Sequence, residues 1–137
     1  MEVLRKEPTV KAGTDGFVGD AWIDAIVRSE EPSRDRVSIV RFAPGARNAW
    51  RAHAVGQTVH VTEGEGRIQS RGTPLIAVRA GDTVHTPAGE WHRHEAAPDH
   101  FMIHLAIFEA AEGGTESEWG DQLTDVEYLA EPAEWRR

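Results

Sequence analysis

The chain has no cysteine among its 137 residues, and that absence removes two architectures at once. No disulfide frame can hold the fold, and no thiolate can bind zinc. The core must come from packing alone, and the length suits one domain with one core, residues 1–137. Basic residues are in deficit: 15 Lys and Arg stand against 23 Asp and Glu, a formal charge of −8. That sign repels nucleic-acid phosphates and anionic membrane surfaces, so neither is expected as a partner. No apolar run approaches the roughly 20 residues that span a bilayer. The N-terminal MEVLRKEPTVKAG lacks the apolar middle of a secretory signal, which makes the cytoplasm the expected compartment.

Helical patterning is nearly missing as well. Only the tail, 111–137, contains a short candidate, DVEYLAE, with Thr124 or Asp125 as its cap and Pro132 as its stop. What fills the rest is a series of short segments rich in β-branched and aromatic residues. These are 17–27, 36–43, 57–63, 66–71, 75–79, 82–86, 92–96 and 101–109. Gly- and Pro-bearing stretches separate them, among them APGA, TEGEG, SRGTP, RAGD, TPAGE and AAPDH. Many short strands punctuated in this way predict an all-β sandwich or barrel.

Seven histidines fall between His53 and His104. Three residues stand at telling intervals. Gly45 is followed after five residues by Arg51, then His53, then Gln57, and six residues later Gly64. Downstream, Gly81 is followed after five residues by Pro87, then Gly89, then His92. Arg51, His53 and Gln57 share parity, so an extended strand turns all three the same way, with His92 arriving from a neighbouring strand. The glycines and Pro87 provide the turns that set register. Two imidazoles and an amide oxygen facing one interior make an inward polar site more plausible than three unrelated polar residues at a barrel mouth.

Both blocks resemble the paired motifs of the cupin superfamily, G-x5-H-x-H-x3-E-x6-G and G-x5-P-x-G-x2-H. The stretches PGARNAWRAHAVGQT, PAGEWHRHEAAP, IHLAIFE and LTDVEY narrow the likeness. From about Phe17 to Tyr128 the chain is similar to the small single-domain bacterial cupins that include the manganese-dependent hydroxynitrile lyases. The resemblance implies an all-β cupin jelly roll of two antiparallel sheets, barrel about 17–110, with a short C-terminal helix. It also implies a metal held by three histidines and a glutamine. Carried over, His53, Gln57 and His92 match ligands, while Arg51 replaces the first histidine. His104 falls on the proton-transferring histidine, His94 on another pocket histidine, and Phe108 on a pocket glutamine.

The expected function is a small-molecule enzyme, a metal-assisted lyase or isomerase with a divalent metal (Mn, Fe, Ni, Zn or Co). Arg51 and the metal would polarise an oxygen while His104 or His94 moves a proton. The alternatives are a metal-free cupin that binds an anionic small molecule through Arg51, and a cupin dioxygenase. Arg51 itself has three readings: a side chain that snorkels to solvent, a partner of Glu63, or a hook for a substrate anion. His60 and His85 have the outward parity or sit at strand ends, and His100 lies in a solvated turn. Trp22 and Trp50 are expected in the core or pocket wall, Trp91 on the opposite face from His92, and Trp119 and Trp135 against a neighbouring subunit. Outward apolar residues and sheet edges favour a homodimer or higher homo-oligomer.

Overall fold

The computed structural model describes residues 1–133. Its elements are β1 (Val10–Lys11), β2 (Phe17–Val18), β3 (Ala21–Arg28), β4 (Asp35–Phe42), β5 (Arg47–Asn48), β6 (Arg51–Ala52), β7 (Gln57–Ser70), β8 (Ile76–Arg79), β9 (Thr83–Thr86), β10 (His92–Ala96), β11 (Met102–Glu109), β12 (Glu118–Trp119) and α1 (Asp125–Leu129). All strand pairs among them are antiparallel. They form one curled sheet, ordered β1-β3-β4-β11-β7-β10-β5-β2, with β8 and β9 also on β7, β6 on β10 and β12 on β6. The sheet curls into the jelly-roll barrel that the motifs imply.

The long strand β7 is the pivot. Its first half pairs with β11 and β9, its second half with β10 and β8. TEGEG reads as a turn in the sequence, yet the chain stays in strand through it. Gly64 takes φ +79, and a Cβ there would collide with the Phe101 carbonyl. The register against β11 also shifts between Ile103 and His104. Glycine and bulge together bend one strand from one half-sheet to the other instead of ending it.

Between the half-sheets lies an apolar floor of Phe17, Val40, Phe42, Val61, Ile68, Val78 and Met102. Strand β10 is buried at every position, although its sequence is HRHEA. His92 and His94 face the barrel interior. Arg93 and Glu95 face the opposite side, where the C-terminal segment covers them. Arg93 donates to the Glu127 carbonyl at 2.8 Å and Arg67 to the Tyr128 carbonyl at 3.0 Å. Helix α1 is shorter than expected and is closed at its start by a capping box between Thr124 and Glu127. The Glu127 carboxylate also accepts from the Trp50 indole at 2.9 Å.

Candidate active site

Two transverse rows of side chains define the site. In one half-sheet Ser70, His92, Arg51 and Trp119 are successive cross-strand partners on β7, β10, β6 and β12. In the other, Thr86, Gln57, Phe108 and Arg36 are partners on β9, β7, β11 and β4. Partners in register project to the same side. The rows meet where His92 Nε2 and Gln57 Oε1 stand 2.9 Å apart. The ring centres of His53 and His92 are 5.4 Å apart, and Phe108 stacks 4.5 Å from His53. Below them His94 lies 5.1 Å from His92 and 5.1 Å from His104. Arg51, His53, Gln57, His92, His94 and His104 thus converge on one interior, and all six are buried.

The equal parity of Arg51, His53 and Gln57 is not how they come together. Strand β6 ends at Ala52, the chain turns, and Gln57 begins β7. Gly56, at φ +85, makes that turn, and its N–H donates to the His53 carbonyl at 3.1 Å. The spacing is therefore a strand–turn–strand signature rather than an alternation along one strand.

Two of the histidines are fixed by backbone carbonyls. His92 Nδ1–H donates to the Glu90 carbonyl at 2.9 Å, and His53 Nδ1–H to the Glu116 carbonyl at 3.1 Å. Each Nε2 is then left as an acceptor. For His53 that atom is buried without a partner. For His92 it faces another acceptor, the Gln57 oxygen. The amide can meet that nitrogen in two ways: its oxygen shares a cation with it, or its NH2 group, turned to face it, donates a hydrogen bond. A proton does not remain on His92, because burial and Arg51 pull it down to about 3. Among the described residues, no three histidine or acidic side chains form a metal-holding group. The donor set that fits a divalent cation is two imidazoles and one amide oxygen, His53, His92 and Gln57.

Arg51 settles two of its three sequence readings. It is 8% exposed, so it does not reach solvent, and Glu63 is exposed on the outside of the barrel. No carboxylate pairs with it among the described residues. One guanidinium nitrogen meets His94 Nδ1 at 3.2 Å, the ring of Trp119 lies 5.4 Å away, and Nε has no partner. Burial pulls its pKa down to about 10, which leaves it charged at neutral pH. That charge adds to burial in holding every histidine of the cluster neutral. His53 falls to about 4, His104 to about 3 and His94 well below its ordinary value. Both ring nitrogens of His104 are buried and unpartnered.

The remaining residues fall outside this interior. His60 and His85 bond Thr83 and Thr58 on the outer face, and His100 bonds Asp99 in its turn. Trp50 is buried, but Trp22 is 37% exposed on edge-proximal strand β3 rather than in the core. Trp119 lies 5.4 Å from Arg51 and 6.0 Å from Phe17 and is 45% exposed, which leaves a face of it open to a neighbouring subunit. Trp135 lies outside the described residues. Sequence reading missed the strap Glu116–Trp119. Its carbonyl and the Ser117 hydroxyl contact His53, while the Glu116 carboxylate is held by Arg36 at 2.8 Å. Nothing local marks it, since Glu116 is 63 residues from His53. Asn48, whose oxygen accepts from the His94 amide at 2.8 Å, was missed for the same reason.

Comparison with known proteins agrees with this fold. A model of the cupin domain matches residues 38–108. The chain is 38% identical to an (R)-mandelonitrile lyase of Granulicella tundricola over 130 residues, 93% of this chain and 98% of the relative. It superposes on the crystal structure of a cupin-like protein from Thermotoga maritima with a TM-score of 0.81. Identity there is 33%, covering 93% of this chain and 95% of the other. A DMSP lyase of Ruegeria pomeroyi shares the fold at 17% identity, with a TM-score of 0.63 over 79% of this chain and 55% of its own.

Proposed function

Since the chain belongs to the cupin family, we propose that its histidine-lined interior is the active site of a small-molecule lyase whose departing group leaves as an anion held by Arg51. One observation carries this reading: Arg51 is a buried guanidinium with no carboxylate partner among the described residues. An unpaired buried charge costs several kcal/mol, and an anionic ligand that pairs with it removes that cost. Relief of this kind at the moment negative charge appears is transition-state stabilisation.

The relative named as an (R)-mandelonitrile lyase supplies a reaction that fits. A substrate hydroxyl gives its proton to a nitrogen of His104, the carbon–oxygen bond becomes a carbonyl, and the adjacent carbon–carbon bond breaks. Its electron pair leaves with cyanide, which Arg51 receives. His94 touches both Arg51 and His104 and aligns them. A neutral imidazole is the form such a step needs, and burial together with Arg51 keeps His104 in it. Phe108 stacks on His53, and the ring of Trp119 lies 5.4 Å from the Arg51 guanidinium. A divalent metal on His53, Gln57 and His92 would act as a Lewis acid toward an oxygen of the substrate. Arg51 opposes that metal by charge and makes its binding weaker than a third histidine would.

The same reading extends to assembly. Trp22, Ile26 and Ile107 are exposed apolar residues of β3 and β11, and a second copy of the chain covering them is the proposed homodimer. Light scattering of the purified protein tests it, with a monomer mass opposing it.

The test of function is carbonyl release from mandelonitrile, followed by the absorbance of benzaldehyde, with metal content measured on protein purified without chelator. Turnover by wild type that His104→Ala and Arg51→Met each abolish supports the lyase. Anion binding without turnover of this or related cyanohydrins assigns the interior to a metal-free binding protein instead.

A further inference from the structure

We infer that the cleft between the edges of β8 and β9 is the binding site for the apolar body of the substrate, which makes the preferred substrate an elongated molecule with its departing group at Arg51 and an apolar tail in the cleft, and makes arylalkyl carboxylates its amphiphilic mimics. The inference rests on the site proposed above and adds its specificity.

The cleft has a volume of about 790 Å³; His85 is among the residues that line it, and none of the six converging side chains of the interior is. Ile68, Ile76, Val78 and Val84 form its apolar wall, and Ser70 and Thr86 also line it. Those two residues begin the transverse rows: Ser70 is the cross-strand partner of His92, and Thr86 that of Gln57. One residue pair deeper, Ile68 is the partner of His94 and Val84 that of Val59. Ser70 and Ile68 therefore project to the same side of the sheet as His92 and His94, and Thr86 to the same side as Gln57, one strand away from the reacting groups. At the rim, the Glu90 carboxylate accepts from the Ser70 hydroxyl at 2.9 Å, while its carbonyl fixes His92.

The two flanks of the barrel differ. On the Arg51 side, β12 pairs with β6 and the strap carries Glu116 onto Arg36, so that flank is closed. On the other side β8 and β9 both pair with β7 but in different halves of it, and the space between them is open. A ligand with its anion on Arg51 must extend toward this opening. Ser70 and Arg51 are two strand spacings apart, about 10 Å. A one- or two-atom anion does not bridge that distance, and a compact polar acid leaves the apolar wall bare. An aryl or alkyl group on a short chain satisfies both ends.

The test is calorimetric titration of a homologous series, phenylacetate, hydrocinnamate and phenylbutyrate, into the intact chain. Each added methylene that enters the cleft raises affinity about fourfold, so the series should span about fifteenfold in wild type. Ile76→Trp, which fills the cleft, should flatten the series, and Val84→Phe provides the same block should the first variant fail to fold. Arg51→Met should weaken all members by a common factor and leave the slope intact. A flat series in wild type, a slope that survives both cleft variants, or no saturable binding of any member overturns the inference. So does a cleft variant whose only change is its mass in light scattering, which would make the cleft a contact between copies. Equal binding to wild type and Arg51→Met with the slope retained would instead overturn the anion role of Arg51 and leave the cleft assignment standing.

Discussion

On its inner face β10 presents His92 and His94 to Arg51; on its outer face it presents Arg93 and Glu95 to Arg67 and the C-terminal segment. Both faces bury a guanidinium. Outside, Glu95 lies 2.5 Å from Arg93 and 2.5 Å from Arg67, and backbone carbonyls of the C-terminal segment take further N–H groups. Burial pushes the Glu95 carboxyl up against the pull of Arg93 and Arg67. Inside, Arg51 has neutral imidazole on one side and, among the described residues, no carboxylate. The outer cluster is closed, and its function is to fasten the tail. The inner cluster is incomplete, and an incomplete cluster is one that a ligand can complete.

The largest effect separates the two faces directly. Glu95→Leu leaves two buried guanidinium groups unpaired and should cost about 3–5 kcal/mol of stability, read from urea unfolding. Arg51→Met strands no charge, only the neutral His94 nitrogen that Arg51 faces, and it removes the desolvation cost of a buried guanidinium, so its stability should equal or exceed that of wild type. A loss as large as that of Glu95→Leu would erase the distinction.

Next is acid stability. The native state holds His104 near 3 and an unfolded chain holds histidine near 6.5, so the unfolded state binds more protons in between. Stability present above pH 6.5 is lost as pH falls toward 3. At pH 5 the share due to His104 is about 2 kcal/mol. His104→Leu should flatten the dependence of the urea midpoint between pH 7.5 and pH 5 by that amount.

Arg51→His comes third. It removes a cation and adds a nitrogen donor beside His53, Gln57 and His92. Repulsion of a dication at roughly 5 Å is about 7 kcal/mol at an effective dielectric of 20, most of it relieved by side-chain motion. A tenfold gain in Mn²⁺ or Zn²⁺ affinity, about 1.4 kcal/mol, is expected by calorimetry of chelator-stripped protein. Equal affinity would place another residue in the missing position. The smallest effect belongs to the outer face: Thr124→Ala removes the cap of α1 and should cost about 1 kcal/mol, visible as faster amide exchange in the tail.

Much of this molecule could be read from its residues, for a physical reason in each case. Strand alternation and turn residues act over a few positions, so the β-rich barrel was legible. The motif spacings encode turns, so His53, Gln57 and His92 were legible as one group even though the single-strand picture behind them was wrong. Gly64 misled because glycine at positive φ serves both a turn and a bend within a strand. Glu116, Asn48 and Arg36 were illegible, since their roles come from contacts between distant segments. The fate of Arg51 was open for the same reason: whether Glu63 reaches it depends on which face of β7 that residue takes, and it takes the outer one.

The central claim is that Arg51 awaits an anion. Mandelate carries a hydroxyl and a fixed negative charge, and its titration into wild type and Arg51→Met by calorimetry tests the claim most directly. One mandelate per chain in wild type, weakened at least tenfold in Arg51→Met at unchanged fold, is the predicted result. Equal affinity in both proteins would contradict it.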